Sequence, residues 1–121
     1  MAEIIILKRF NDLSGCLTVI QDQVRFAIKR IFFIEGASGY VRGGHRHKNT
    51  EQALICLSGT CMISNHDGLL QQNFSLNSSD KCLILKPEDW HTMHSFSYHA
   101  ILLVLASTEY DKDDYIDEPY G

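Results

Sequence analysis

Every apolar run in this chain is short, and turn-forming residues close each one within a few positions. The runs fall at residues 4–9, 16–21, 27–34, 45–47, 52–57, 60–64, 69–76, 81–85, 92–96 and 100–106, and no stretch carries the 3.6-residue period of an amphipathic helix. Between them lie Asn11-Asp-Leu-Ser-Gly15, Glu35-Gly-Ala-Ser-Gly39, Ser58-Gly59, Asn65-His-Asp-Gly68 and Asn77-Ser-Ser-Asp80, all turn chemistry. Ser58-Gly59 and Asp67-Gly68 are expected to close hairpins. Ten short strands in 121 residues predict an all-β protein with a single core over residues 1–121. Such a chain must protect its sheet edges, and a double-sheet jelly roll or a closed barrel does so.

Composition narrows the function classes. The longest purely apolar run, residues 100–106, is far short of the roughly 20 residues needed to cross a bilayer, so it reads as a buried strand and no membrane is expected. The N-terminus has neither a basic stretch before its apolar residues nor a small-residue cleavage site, which makes the cytoplasm the expected compartment. Net charge is −4, yet six of the 15 acidic residues sit between Glu109 and Glu118 beside the single base Lys112. The remaining body is close to neutral, suited to an anionic small molecule and not to nucleic acid. The acidic tail itself reads as a solvated end. Cys56, Cys61 and Cys82 lie inside apolar runs, and with Cys16 they form no C-x-x-C pair, so all four are expected to be reduced. The apolar strand Ile4-Ile-Ile-Leu7 would be an exposed edge in a monomer, which predicts a homodimer.

Chemistry concentrates in one segment. In His45-Arg46-His47 the two-residue period of a strand puts both imidazoles on one face and Arg46 on the other. Gly43 and Gly44 just before it permit a backbone conformation that an ordinary edge strand does not need. Gly39, five further residues and then His-x-His is how the first cupin motif begins. Gln52 occupies the place where that motif carries a glutamate, and Gly59 follows after six intervening residues. The turn Lys86-Pro-Glu-Asp-Trp-His91 resembles the start of the second cupin motif without its glycine, making His91 the candidate third imidazole. The expected fold is therefore a cupin-type double-stranded β-helix, a form of jelly roll.

Over nearly its whole length the chain resembles the dTDP-4-keto-6-deoxyhexose 3,4-ketoisomerases, cupin enzymes that feed 3-amino-3,6-dideoxy sugar synthesis for surface polysaccharide. The resemblance is carried by residues 14–20, 28–34, Arg42-Gly-Gly-His-Arg-His-Lys48, residues 52–59, Trp90, Phe96-Ser97, residues 100–107 and residues 110–116. It implies that His45 and His47 are catalytic and that no metal or other cofactor is needed. The chain departs from that family in having Phe32 and Phe33 where tyrosine is common, and Arg46 where alanine is common.

The implied reaction moves a ketone from C4 to C3 of a dTDP-linked 4-keto-6-deoxyhexose through an enediol. Imidazole, with an ordinary pKa of about 6.5, suits the required proton transfers. His47 is assigned as the carbon base and His45 as the oxygen-side acid or shuttle. Arg30 or Arg42 would hold the diphosphate or the enediolate. Tyr40 and Trp90 would stack on the base or sugar, and Gln52 and His91 would contact substrate. His66, His94 and His99 read as structural or exposed. The alternatives are a metal-dependent cupin using His45, His47 and His91, a non-catalytic sugar-binding barrel, and a nucleotide-sugar 3,5-epimerase.

Overall fold

The computed structural model describes residues 1–121. Twelve strands and one short 3-10 turn follow in order: β1 (Glu3–Ile6), β2 (Lys8–Asp12), β3 (Gly15–Val19), β4 (Arg30–Glu35), β5 (Arg42–His47), β6 (Gln52–Ser58), β7 (Cys61–His66), β8 (Gln71–Leu76), β9 (Lys81–Leu85), β10 (Trp90–His94), β11 (Ile101–Ala106), the 3-10 turn Lys112–Asp114, and β12 (Tyr115–Ile116). Two five-stranded antiparallel sheets, ordered β1-β9-β6-β11-β4 and β12-β5-β10-β7-β8, make the expected jelly roll. No helix is long and apolar enough to cross a membrane.

Between the sheets lies a core that includes Ile34, Leu54, Leu83, Leu102 and Val104 from the first and Cys61, Ile63, Leu76 and Met93 from the second. The first sheet is covered on its other face too, where Leu7, Val24, Ala53, Ile55, Cys82, Ile84 and Leu105 cluster. Burial on both faces explains the unbroken apolar sequence of β11, since neither side of that strand needs polar residues. The second sheet has one solvated face, and β7 accordingly alternates buried and half-buried residues. Cys56, Cys61 and Cys82 are buried free thiols and Cys16 is exposed.

Three expectations are corrected. The run 4–9 is not one strand: Leu7 turns into the second cluster, with its N–H donating to the Asp80 carbonyl at 2.8 Å, and this divides β1 from β2. Ser58-Gly59 does not close a hairpin but passes the chain from one sheet to the other, anchored by the Thr60 N–H donating to Ser97 Oγ at 2.9 Å. The acidic tail is not wholly solvated, because Asp114 is buried and the residues after it pair with β5.

Candidate active site

The paired glycines of β5 act as the sequence leads one to expect. Gly43 and Gly44 both have φ of +83°, a left-handed conformation that L side chains rarely adopt. Opposite them His91 pairs with His45 and Thr92 with Gly43, so Gly44 is an extra residue in a β-bulge. A Cβ on Gly43 would lie 3.0 Å from the His91 carbonyl oxygen. The bulge therefore lets β5 and β10 approach closely while setting the direction in which His45 leaves the strand.

A cavity of about 190 Å³ opens beside the bulge. Arg30, Arg42, His45, Gln52, His91 and Tyr115 form its polar lining, and Phe32, Ile34, Leu54, Met93 and Val104 its apolar lining. His47 stands behind this wall, 4% exposed, with its ring centroid 5.2 Å from that of His45 and 4.6 Å from that of Tyr115. Tyr115 also packs on His45 at 4.7 Å, and its hydroxyl accepts from Arg30 Nη1 at 3.3 Å, joining the edge strands of the two sheets. Gln52 is buried with its Oε1 unpartnered.

His47 is tied to a carboxylate. Its Nδ1 lies 2.8 Å from Asp114 Oδ2. A carboxylate can only accept here, so Nδ1 carries the proton and Nε2 keeps its lone pair. Nε2 is buried with no partner. Burial lowers the His47 pKa below the ordinary imidazole value; the Asp114 hydrogen bond and charge oppose that shift, and Arg30 adds to it. Asp114 accepts from the Thr50 hydroxyl and, at 2.7 Å, from the Asn49 N–H. Burial alone would raise its pKa, but these bonds and His47 hold the carboxyl below its ordinary range.

The other two imidazoles are also held neutral. Burial and the neighbouring His47 push His45 down to about 4, against a smaller opposing effect of Asp117. His91 is 1% exposed, and burial pushes it down to about 4 as well. Its Nδ1 donates to the Asp89 carbonyl at 3.1 Å, leaving Nε2 as an acceptor. The ring centroids of His45, His47 and His91 are 5.2, 5.2 and 6.3 Å apart, and no three His, Cys, Asp or Glu side chains in the molecule converge as a metal-ligating set.

Of the residues singled out in the sequence, Arg30, Arg42, His45, Gln52 and His91 line the cavity and His47 backs it. Two do not join them. Tyr40 is 69% exposed and lies outside the cavity. Trp90 belongs to the outer side of the second sheet, where its indole N–H donates to the Asp117 carbonyl at 3.0 Å. Sequence reasoning missed the roles of Asp114 and Tyr115. Both sit in the acidic stretch read as solvated, and no local spacing ties them to His47 far upstream.

Comparison with known proteins matches residues 1–120 to the family described as FdtA: WxcM-like, C-terminal. The chain belongs to this family. A relative in Aneurinibacillus thermoaerophilus, TDP-4-oxo-6-deoxy-alpha-D-glucose-3,4-oxoisomerase, is 39% identical over 117 residues, covering 94% of this chain and 84% of its own. This member of the WxcM-like family also superposes on the TDP-quinovose 3,4-ketoisomerase of Campylobacter jejuni with a TM-score of 0.93 and 39% identity, over 97% of this chain and 92% of that one. A sugar 3,4-ketoisomerase from Thermoanaerobacterium thermosaccharolyticum, solved with TDP, gives 0.93 at 35% identity over 97% and 88%.

Proposed function

We propose that this WxcM-like protein is a dTDP-sugar 3,4-ketoisomerase, a single cupin unit that moves the ketone of a dTDP-4-keto-6-deoxyhexose from C4 to C3. The observation that carries the reading is a carboxylate-oriented imidazole, His47 on Asp114, set beside a second imidazole at the wall of a half-apolar cavity. A base must take the C3 proton and return a proton to C4, while the O3 proton is lost and O4 gains one. An imidazole held neutral by burial with one ring nitrogen free is built to accept a proton. His47 is the carbon base and His45 the shuttle on the oxygen side. Tyr115 packs beside both rings and its hydroxyl accepts from Arg30, so its own proton remains available to a developing enediolate.

Substrate contacts follow from what each group lacks. Gln52 Oε1 is buried without a donor, which favours a sugar hydroxyl in that position. The lone pair of His91 Nε2 serves the same purpose. Arg42, exposed at the cavity, holds the diphosphate, a role that Arg30 shares. The apolar wall of Phe32, Met93 and Val104 suits the 6-deoxy methyl group. Trp90 and Tyr40 take no part. The protein works in the cytoplasm without metal or other cofactor, binds neither nucleic acid nor membrane, supplies 3-keto sugar for surface polysaccharide, and acts as a homodimer.

Proton NMR of the protein with dTDP-4-keto-6-deoxyglucose in deuterated water tests this. A 3-keto product with exchange confined to C3 and C4 is expected. Exchange at C3 and C5 would instead identify an epimerase.

A further inference from the structure

The alternation of β5 that turns His45 and His47 toward the site turns Arg46 to the opposite face. There its guanidinium lies over the Tyr120 ring, 4.6 Å from the centroid. This contact is the far end of a series of attachments. Tyr115 and Ile116 pair with His47 and Arg46 through a ladder only two residues long. Next, the Asp117 carbonyl accepts from Trp90 Nε1 at 3.0 Å. Finally the Tyr120 hydroxyl donates to the Glu88 carbonyl at 2.7 Å, and its ring tilts against His66 at 5.4 Å. The segment after β12 thus crosses the outer face of the second sheet from β5 over β10 to β7.

Two features give the Arg46 contact weight. So short a ladder gives little cooperative support, and the segment depends on its side-chain anchors. Arg46 is half-buried and its Nε is buried with no hydrogen-bond partner, so the Tyr120 ring is the favourable neighbour its guanidinium has on that side. On the inner side the same segment seats Tyr115 on His45 and His47, at 4.7 and 4.6 Å. We infer that Arg46 is a positioning residue that clamps Tyr120, seats the C-terminal segment, and so holds Tyr115 against the two imidazoles. The clamp stands on contacts alone, whereas its effect on rate rests on the isomerase reading above.

Trp90 is the sole tryptophan, and its indole N–H is bonded to the segment, so its fluorescence reports seating independently of turnover. Arg46→Ala and Tyr120→Ala should each red-shift Trp90 emission and raise acrylamide quenching about twofold, with the β-type far-ultraviolet dichroism retained. Each should lower kcat about tenfold with KM within about twofold, the scale of a slightly misplaced group. The double variant should be no slower than Tyr120→Ala alone, because the clamp acts only through the Tyr120 ring that this variant already removes. Arg46→Lys, which keeps a cation for the ring, should restore most of both signals.

Unchanged Trp90 emission in Arg46→Ala, rate losses that multiply in the double variant, or an Arg46→Lys protein no better than Arg46→Ala would each overturn the clamp. A wild-type chain that leaves the keto sugar untouched would refute the isomerase reading instead. The quenching change in Arg46→Ala would still support the clamp.

Discussion

The proposed division of labour between the two imidazoles rests on one hydrogen bond. Asp114 fixes the His47 tautomer with its lone pair on Nε2, the nitrogen to which the proposed reaction assigns the carbon-bound proton. Replacing His47 by Asn keeps the volume and removes the base. Turnover should fall at least about 100-fold with dTDP-sugar binding nearly intact. Equal turnover in the variant would refute the assignment. Asp114→Asn tests the partner. The Asp114 hydrogen bond and charge both raise the His47 pKa, so their loss moves the acid limb of kcat/KM to lower pH and lowers kcat by about 100-fold as the tautomer is released. A limb that moves to higher pH, or a rate unchanged, would show that Asp114 does not act through His47. The histidine pair was legible because a strand repeats every two residues and the motif is local. Its carboxylate was not, because it lies 67 residues further on and only the return of the chain to β5 brings the two together.

At the level of the strand, the bulge in β5 separates two glycines that the sequence could only treat as a pair. Both have φ of +83°, yet a Cβ on Gly43 meets the His91 carbonyl at 3.0 Å and Met93 Cε at 3.2 Å, whereas one on Gly44 meets nothing nearer than Trp90 at 4.0 Å. Gly44→Ala should therefore cost only the backbone conformation, about 1–2 kcal/mol, and Gly43→Ala that plus a displaced β10, about 3 kcal/mol or more. Urea unfolding of the two variants checks the order, and equal losses would mean that β10 yields freely. The same contrast marks what strand patterns conveyed. β6, β9 and β11 were legible because hydrophobic runs bounded by turns leave few other structures for them. β12 was not, since two residues carry no period, and Ser58-Gly59 was misread because a turn dipeptide does not say whether the next strand joins the same sheet.

Across the whole molecule, two kinds of surface are left without partners. Ile31 and Phe33 lie exposed on edge strand β4, and Phe10 and Leu17 on the separate β2–β3 ribbon. A lone two-stranded ribbon is marginal in water, so a second copy covering these residues is expected, and sedimentation giving only a 13.8 kDa species would contradict the dimer. The interior makes a different demand. The fold holds His45 and His91 neutral by burying them, each with its pKa pushed down to about 4, while in the unfolded chain both titrate near 6.5. Above that value neither state binds the protons and stability is complete. As pH falls from about 6.5 to about 4 the unfolded chain takes them up first, and each histidine removes about 1.4 kcal/mol of stability per pH unit. Below about 4 both states are protonated and this loss levels off. Asp114, whose pKa is lowered, begins to cost stability only as pH falls through the carboxylate range, so the two effects occupy separate windows. Urea midpoints at pH 7.5, 6 and 5 should fall steadily, and His91→Asn, lacking one of the two groups, should fall less steeply. A wild-type midpoint that stays level from pH 7.5 to 5 would mean that the imidazoles pick up protons inside the folded protein as readily as in water, and a site that wet could not keep its base neutral by burial.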